Sequence, residues 1–356
     1  MTGPAVSVIM PSLNVGKYIK KCLDSVRAQS LENIEIICVD AGSDDGTLEY
    51  IKECAECDSR IKLIISDRKS YGYQMNLGLD AAAGDYIGIV ETDDYADRNM
   101  FADLYRRALK DDADVIKSAF WFYYSMPKER NIKYKLPKDL ISRGIFSPAD
   151  DITDPLMLAK LFNIKPSIWS GIYKKAFLEK NNIRFNESAG ASFQDSGFNF
   201  KVWACADRAV LVNDAYLHYR QDNENSSVNS HAKAFCICDE YADIGRYIEE
   251  HFKEDTEKRQ MLCEVLCRIK YDGYLWNYGR LNGELGMEFL RSASIELAEN
   301  MRCGHIKKEY YPPFKWEALL LWIKDPEVFA RKLKERNEMT LAAKAIERLK
   351  RRMTGR

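Results

Sequence analysis

Two periodicities alternate over roughly the first 120 residues, and that alternation restricts the fold more than any other property of the chain. Short apolar runs at Val6 to Met10, Ile34 to Val39, Ile61 to Ile65, Tyr86 to Val90 and Val115 to Ala119 read as strands. Between them, Lys17 to Gln29, Thr47 to Ala55, Gln74 to Ala83 and Met100 to Leu109 keep helical spacing. Continuously apolar strands separated by helices predict an α/β fold, a mostly parallel sheet with helices on both faces. In such sheets ligands bind beyond the carboxyl ends of the strands.

From about 121 to 230 the pattern is mixed. The aromatic run Trp121 to Tyr124 and the prolines at 127, 137 and 148 suggest an irregular insertion. Helices are expected at Pro155 to Phe162, Lys174 to Asn181 and Ser196 to Ala206, with a strand at Ala209 to Val212. Beyond position 234 apolar residues recur every three or four places, so residues 231–356 are expected to form a mostly helical region after a domain at 1–230. Its end, Arg331 to Arg356, holds ten Lys/Arg against three Glu, and as an amphipathic helix it would suit peripheral contact with an anionic membrane.

Two acidic turns close predicted strands. One is Asp40-Ala41-Gly42-Ser43-Asp44-Asp45; the other is Glu91-Thr92-Asp93-Asp94, with Asp97 following as an expected helix cap. Like charges this close oppose one another unless a cation relieves them. A nucleoside diphosphate held there would add more negative charge, so the site calls for a hard divalent ion, Mn²⁺ or Mg²⁺, between carboxylate and phosphate oxygens. The formal net charge of −1 gives no general field for a nucleic-acid partner. Ten cysteines without a paired metal-ligand spacing, and only four histidines, read as reduced thiols in a cytoplasmic protein rather than a zinc site. No run approaches the roughly 18 apolar residues of a membrane span.

With these motifs in view, the chain resembles the inverting family-2 glycosyltransferases of the GT-A fold over roughly Val6 to Asn229. The resemblance rests on Pro11-Ser12-Leu13-Asn14, on Ile36 to Thr47, and on Asn76-Leu77-Gly78-Leu79 with Ala83 to Ile87. It continues through Glu91-Thr92-Asp93-Asp94 in the place of the DxD metal motif and Phe193-Gln194-Asp195-Ser196 in the place of the segment that carries the catalytic base. It implies transfer of a sugar from a nucleotide-diphosphate donor, UDP-linked by preference, to a hydroxyl of a saccharide or lipid-linked acceptor in making surface polysaccharide. Carried over, Pro11, Asn14, Asp40, Asn76 and Asp93 would hold the donor, Asp93 and Asp94 the metal, and Asp195 would deprotonate the acceptor. The chain departs from the family pattern at Leu13, Ala41, Met75, Glu91 and Gln194, and Arg68 or Lys69 would stand in for an arginine usual at position 75.

Two further residues invite roles: His218, closing the last α/β strand, as a metal ligand, and Trp169 as a stacking platform for the acceptor. Two alternatives remain, a non-catalytic sugar-nucleotide-binding or scaffold protein and a sugar nucleotidyltransferase. The second would want a glycine-rich basic loop after the first strand, where Pro11 to Lys17 has a single glycine.

Overall fold

The computed structural model describes residues 3–223 and 234–336, and the chain divides into two compact units, Met1–Leu262 and Cys263–Arg356. The division lies beyond the polar stretch near residue 230, and the helix after that stretch belongs to the first unit. Most of the basic segment at 331–356 lies outside the described residues; positions 331–336 end a helix.

In the first unit, β1 (Val6–Ser12), α1 (Ile19–Arg27), β2 (Ile34–Asp40), α2 (Thr47–Cys57), β3 (Ile61–Ile65), α3 (Tyr71–Ala81) and β4 (Tyr86–Ile89) alternate as the sequence predicts. Strands β3, β2, β1 and β4 lie side by side and parallel. Every residue of β1 and β2 is buried, as expected of strands covered on both faces. Helix α1 turns Ile19, Cys22, Leu23 and Val26 inward at helical spacing.

The chain continues through β5 (Tyr95–Ala96), α4 (Met100–Asp111), β6 (Val115–Tyr124), β7 (Arg130–Tyr134), α5 (Lys138–Ile141), β8 (Ile145–Phe146) and α6 (Pro155–Phe162). A single 3₁₀ turn at Ile168–Ser170 leads into β9 (Gly171–Lys174), α7 (Lys175–Lys180), α8 (Gln194–Cys205), β10 (Ala209–Arg220) and α9 (Cys236–His251). The sheet order is β3-β2-β1-β4-β9-β6-β10-β5. This is a mixed sheet, parallel on the β1 side and joined to the β6–β10 half through β9, which runs antiparallel to both β4 and β6.

Two expectations need correction. The aromatic run Trp121 to Tyr124 is no insertion: it continues β6, paired with β7 on one side and β10 on the other. Strand β10 does not stop at Val212 but reaches Arg220, with register shifts against β6 between Val212 and Ala215 and again between Ala215 and His218. Such shifts insert extra residues into one strand and re-aim the side chains beyond them.

The second unit contains the later part of α10 (Thr256–Tyr278), α11 (Gly283–Arg302) and α12 (Pro313–Lys324). Tyr274 packs edge-on against Phe289, the Trp322 indole N–H donates to the Leu290 carbonyl (3.1 Å), and Lys270 pairs with Glu296 (2.6 Å). No helix among the described residues is long and apolar enough to cross a membrane.

Gly171 sits where β9 crosses β6, and a Cβ there would run into the Ile116 carbonyl oxygen, a backbone atom that cannot swing aside. Gly171→Ala is therefore expected to destabilise the protein by about 1–3 kcal/mol, the usual range for overpacking. Urea unfolding followed by far-UV circular dichroism checks this; an unchanged midpoint would mean the two strands separate freely.

Candidate active site

The turn after β4 carries the main acids. Asp94 is 2% exposed; one carboxyl oxygen accepts the Arg220 backbone N–H (2.8 Å), and the other is buried without a hydrogen-bond partner among the described residues. Burial, reinforced by Asp93, pushes its carboxyl well above the ordinary range. Asp93 is half-buried and accepts the Asn223 amide (2.8 Å), while the Arg220 guanidinium donates to the Asp93 carbonyl (2.9 Å). Half-buried Glu91 accepts the Tyr71 hydroxyl (2.5 Å), and burial pushes its carboxyl up to about 8. Thr92 anchors the turn by donating to the Pro11 carbonyl (2.7 Å).

The Asp40 turn is built differently. Its carboxylate accepts four hydrogen bonds, from the hydroxyls of Ser12 and Ser43 (2.7 Å each) and the backbone N–H groups of Gly42 (2.9 Å) and Ser43 (2.8 Å). Gly42 adopts φ +81°, which only glycine takes without strain, and so lets the loop fold back over the carboxylate. Asn14 accepts the Asp44 N–H (3.0 Å) at the mouth of this turn. Asp40 is thus a brace for the loop. Asn76 is also a brace: its amide donates to the Phe185 carbonyl and Glu187 carboxylate and accepts the Phe185 N–H (each 3.0 Å). Arg68, the candidate stand-in cation, pairs with Glu187 (3.4 Å) and lies over the Tyr73 ring.

Asp195 occupies the first turn of α8, which opens on Phe193 at φ +63°. One of its oxygens accepts the Ser196 N–H (2.9 Å). Burial raises its carboxyl above the ordinary range, and Lys165 and Lys117 oppose that rise. Asp195 acts electrostatically on Glu91 and Tyr71, and Lys165 feels both Asp195 and Asp94. The acidic turn after β4 and the start of α8 therefore form one charged site, although about 100 residues separate them in the chain.

Two predicted residues do not join it as expected. His218 has both ring nitrogens engaged, Nδ1 with Asn131 (2.8 Å) and Nε2 with Asp97 (3.1 Å), and it stacks on Tyr95, so neither nitrogen is open to a metal. Asp97 accordingly meets His218 rather than capping α4, whose N-cap is Asn99. Trp169 is 5% exposed and packed between Phe120 and Tyr219, so it offers no open face to a sugar. Sequence reasoning gave no role to Tyr71, Lys117, Lys165 or Arg220. A local signal existed for Lys117, a lysine inside the apolar run Val115 to Phe120; the others depend on tertiary proximity.

Among the described residues no group of three or more His, Cys, Asp or Glu is placed to hold a metal unaided. Asp93 with the unpartnered oxygen of Asp94 is an all-oxygen pair, which fits Mg²⁺ or Mn²⁺, ions that take one or two carboxylates and complete their shell with water and substrate phosphate.

Residues 7–168 match the family described as "Glycosyl transferase family 2". This domain belongs to glycosyl transferase family 2. EpsJ of Bacillus subtilis, an uncharacterized glycosyltransferase, is 31% identical over 223 residues, covering 63% of this chain and 62% of that protein. A Campylobacter jejuni GalNAc(5)-diNAcBac-PP-undecaprenol beta-1,3-glucosyltransferase is 23% identical over 258 residues, covering 72% and 77%. The alignment to EpsJ thus spans about three fifths of that relative. In three dimensions the chain is similar to residues 1–349 of TarS from S. aureus, crystallised with UDP, at a TM-score of 0.65, 19% identity and coverage of 93% of this chain and 91% of that one. The family-2 domain therefore adopts the GT-A fold expected of it.

A carboxyl whose titration is pushed up by burial and by Asp93 costs stability at neutral pH, and asparagine removes that ionisable group while keeping an oxygen for the Arg220 N–H. Asp94→Asn should therefore raise the thermal midpoint of metal-free protein, by about 2–4 °C for each kcal/mol recovered in a domain of this size. Mn²⁺ should raise the midpoint of the wild type and leave that of the variant unchanged. Differential scanning fluorimetry with and without Mn²⁺ checks both, and an equal Mn²⁺ response in the two proteins would remove Asp94 from the ion's ligands.

Proposed function

We propose that this chain is an inverting glycosyltransferase that moves a sugar from a nucleotide-diphosphate sugar, UDP-linked, to a hydroxyl of a saccharide or lipid-linked acceptor in polysaccharide synthesis. The observation that carries the reading is the electrostatic link of Asp195 to Glu91 directly and to Asp94 through Lys165, beside an Asp94 oxygen that lacks a partner among the described residues. The crystal structures of TarS with UDP and with UDP-GlcNAc support the choice of nucleobase, and the undecaprenol-linked substrate named for the Campylobacter relative supports the acceptor class.

Donor binding falls to the first half of the sheet. Pro11, Asn14 and the loop braced by Asp40 form its rim, and Asp93 faces the donor's ribose or phosphates. Asp93 and Asp94 would hold the divalent ion, which when bound offsets the charge that develops on the departing diphosphate. Asp195 accepts the proton of the attacking hydroxyl. An inverting displacement needs that base on the side opposite the leaving group, and α8 reaches the acids from a different part of the fold than β4 does. The basic segment at 331–356 suits contact with an anionic membrane surface, where a lipid-linked acceptor would be presented.

Incubation with Mn²⁺ or Mg²⁺ and a panel of UDP-, GDP-, CDP- and dTDP-sugars should give slow, ion-dependent nucleotide release from a UDP-sugar. Asp195→Asn should lower transfer by a factor of 10² or more, in the range of removing a general base, with donor affinity within a factor of about two. Absence of ion-dependent binding to every donor would end this reading.

A further inference from the structure

Lys117 is the least expected residue in the sheet. It is the third residue of β6, is 1% exposed, and its ammonium donates a hydrogen bond to the Asn199 side-chain carbonyl (3.1 Å). It also lies 5.9 Å from the centre of the Trp203 ring. Asn199 and Trp203 are four residues apart on α8, and four residues before Asn199 comes Asp195. Positions spaced by four lie along one stripe of a helix. The Lys117 ammonium is therefore held against the stripe of α8 that ends at the carboxylate of the first turn. One neutral acceptor does not compensate a buried ammonium; an opposite charge does.

We propose that Lys117 is a positioning residue for the reaction, a buried cation that keeps the Asp195 carboxylate ionised and aimed while the helix around it excludes water. This inference rests on the reading of Asp195 as the base. A carboxylate sealed in an apolar setting tends to take up a proton and lose its use as a base. Lys117 resists that from beneath α8, and Asn199 fixes where the ammonium sits. Burial in turn pulls the Lys117 ammonium down to about 7, with Asp195 working to keep it charged.

The other groups that act on Asp195 come from several elements. Lys165, from the segment before the 3₁₀ turn, favours the carboxylate as Lys117 does. Glu91 after β4 and Glu240 of α9 disfavour it, as would ionised Tyr71 of α3 or Tyr219 of β10. Lys165 is half-buried and lies over the Tyr219 ring at 5.1 Å, on the side of the acidic turn, whereas Lys117 is fully enclosed beneath α8. Enclosure is what suits Lys117 to set the charge of Asp195 independently of what occupies the site.

Two readouts on Lys117→Gln, which keeps a hydrogen-bonding side chain opposite Asn199, test this. The first is the titration of the Asp195 carboxyl in protein labelled with ¹³C-aspartate, identified as the signal missing from Asp195→Asn. It should move up by about one pH unit, the low end of what an adjacent opposite charge contributes. The second is nucleotide release from UDP-GlcNAc with water as acceptor. Because the ionised carboxylate is the active form, the acid limb of the rate profile should shift upward with the titration. Turnover should approach the wild-type value at alkaline pH, and UDP-GlcNAc affinity should stay within a factor of two.

A merely structural role would lower turnover equally at every pH and leave the titration in place, and that result overturns the proposal. Lys117→Met, apolar and similar in length, makes the same comparison if glutamine disturbs the core. If Asp195→Asn retains wild-type nucleotide release, the base assignment fails. If it loses release while the Asp195 titration is unmoved in Lys117→Gln, only the role of Lys117 fails.

Discussion

Arg220 ties the acidic turn to the last strand of the sheet, and the geometry of the site depends on that tie. Its backbone N–H meets Asp94 and its guanidinium meets the Asp93 carbonyl, while the rings of Tyr18 and Tyr123 flank it. Three acids within four residues would otherwise splay toward water. Because the tie uses a main-chain donor on one side and a main-chain acceptor on the other, it fixes the path of the turn and leaves the second Asp94 oxygen without a partner among the described residues, while the Asp93 carboxylate meets Asn223. The strand ends of the two halves of the sheet are thereby joined at the one place where charge is most concentrated.

Much of this was legible in the sequence, for physical reasons. Strands β1, β2 and β4 announce themselves because strands buried on both faces are largely apolar, and the helices between them must be apolar on one side. Asp93, Asp94 and Asp195 are visible because acids at strand ends and at a helix start are conspicuous against apolar runs. What escaped is whatever depends on partners distant in the chain. Strand β9 has only four residues, and its pairing partners alone make it a strand. The aromatic run at 121–124 looks like an insertion until β7 and β10 are seen on either side. Lys165 and Arg220 carry no local mark at all. His218 and Trp169 were prominent as residue types, yet each is consumed by packing and hydrogen bonds.

The electrostatics of the site divide by depth. At the strand ends, carboxylates stand close together and are raised by burial. Lys117 beneath α8 and Lys165 nearer the acidic turn are lowered by the same cause. Both shifts favour the neutral form, so the groups around Asp195 hold their charge less firmly than they would in water. A phosphate or a cation entering the site therefore sets much of the charge it meets. Such an arrangement discriminates by where charge sits on the incoming molecule as well as by its shape.

The two register shifts in β10 have a consequence for how this chain tolerates change in length. Between Val212 and His218 the strand uses more residues than β6 does over the same span, and Arg220 reaches the acidic turn at the end of that excess. A residue gained or lost in most surface loops is absorbed where it occurs. One gained or lost between 212 and 218 would rotate every side chain after it to the other face of the sheet, turning Tyr219 inward or outward and carrying the Arg220 amide out of register. This short stretch therefore behaves as a ruler, and alignment gaps among related chains should avoid it even where residue identities drift.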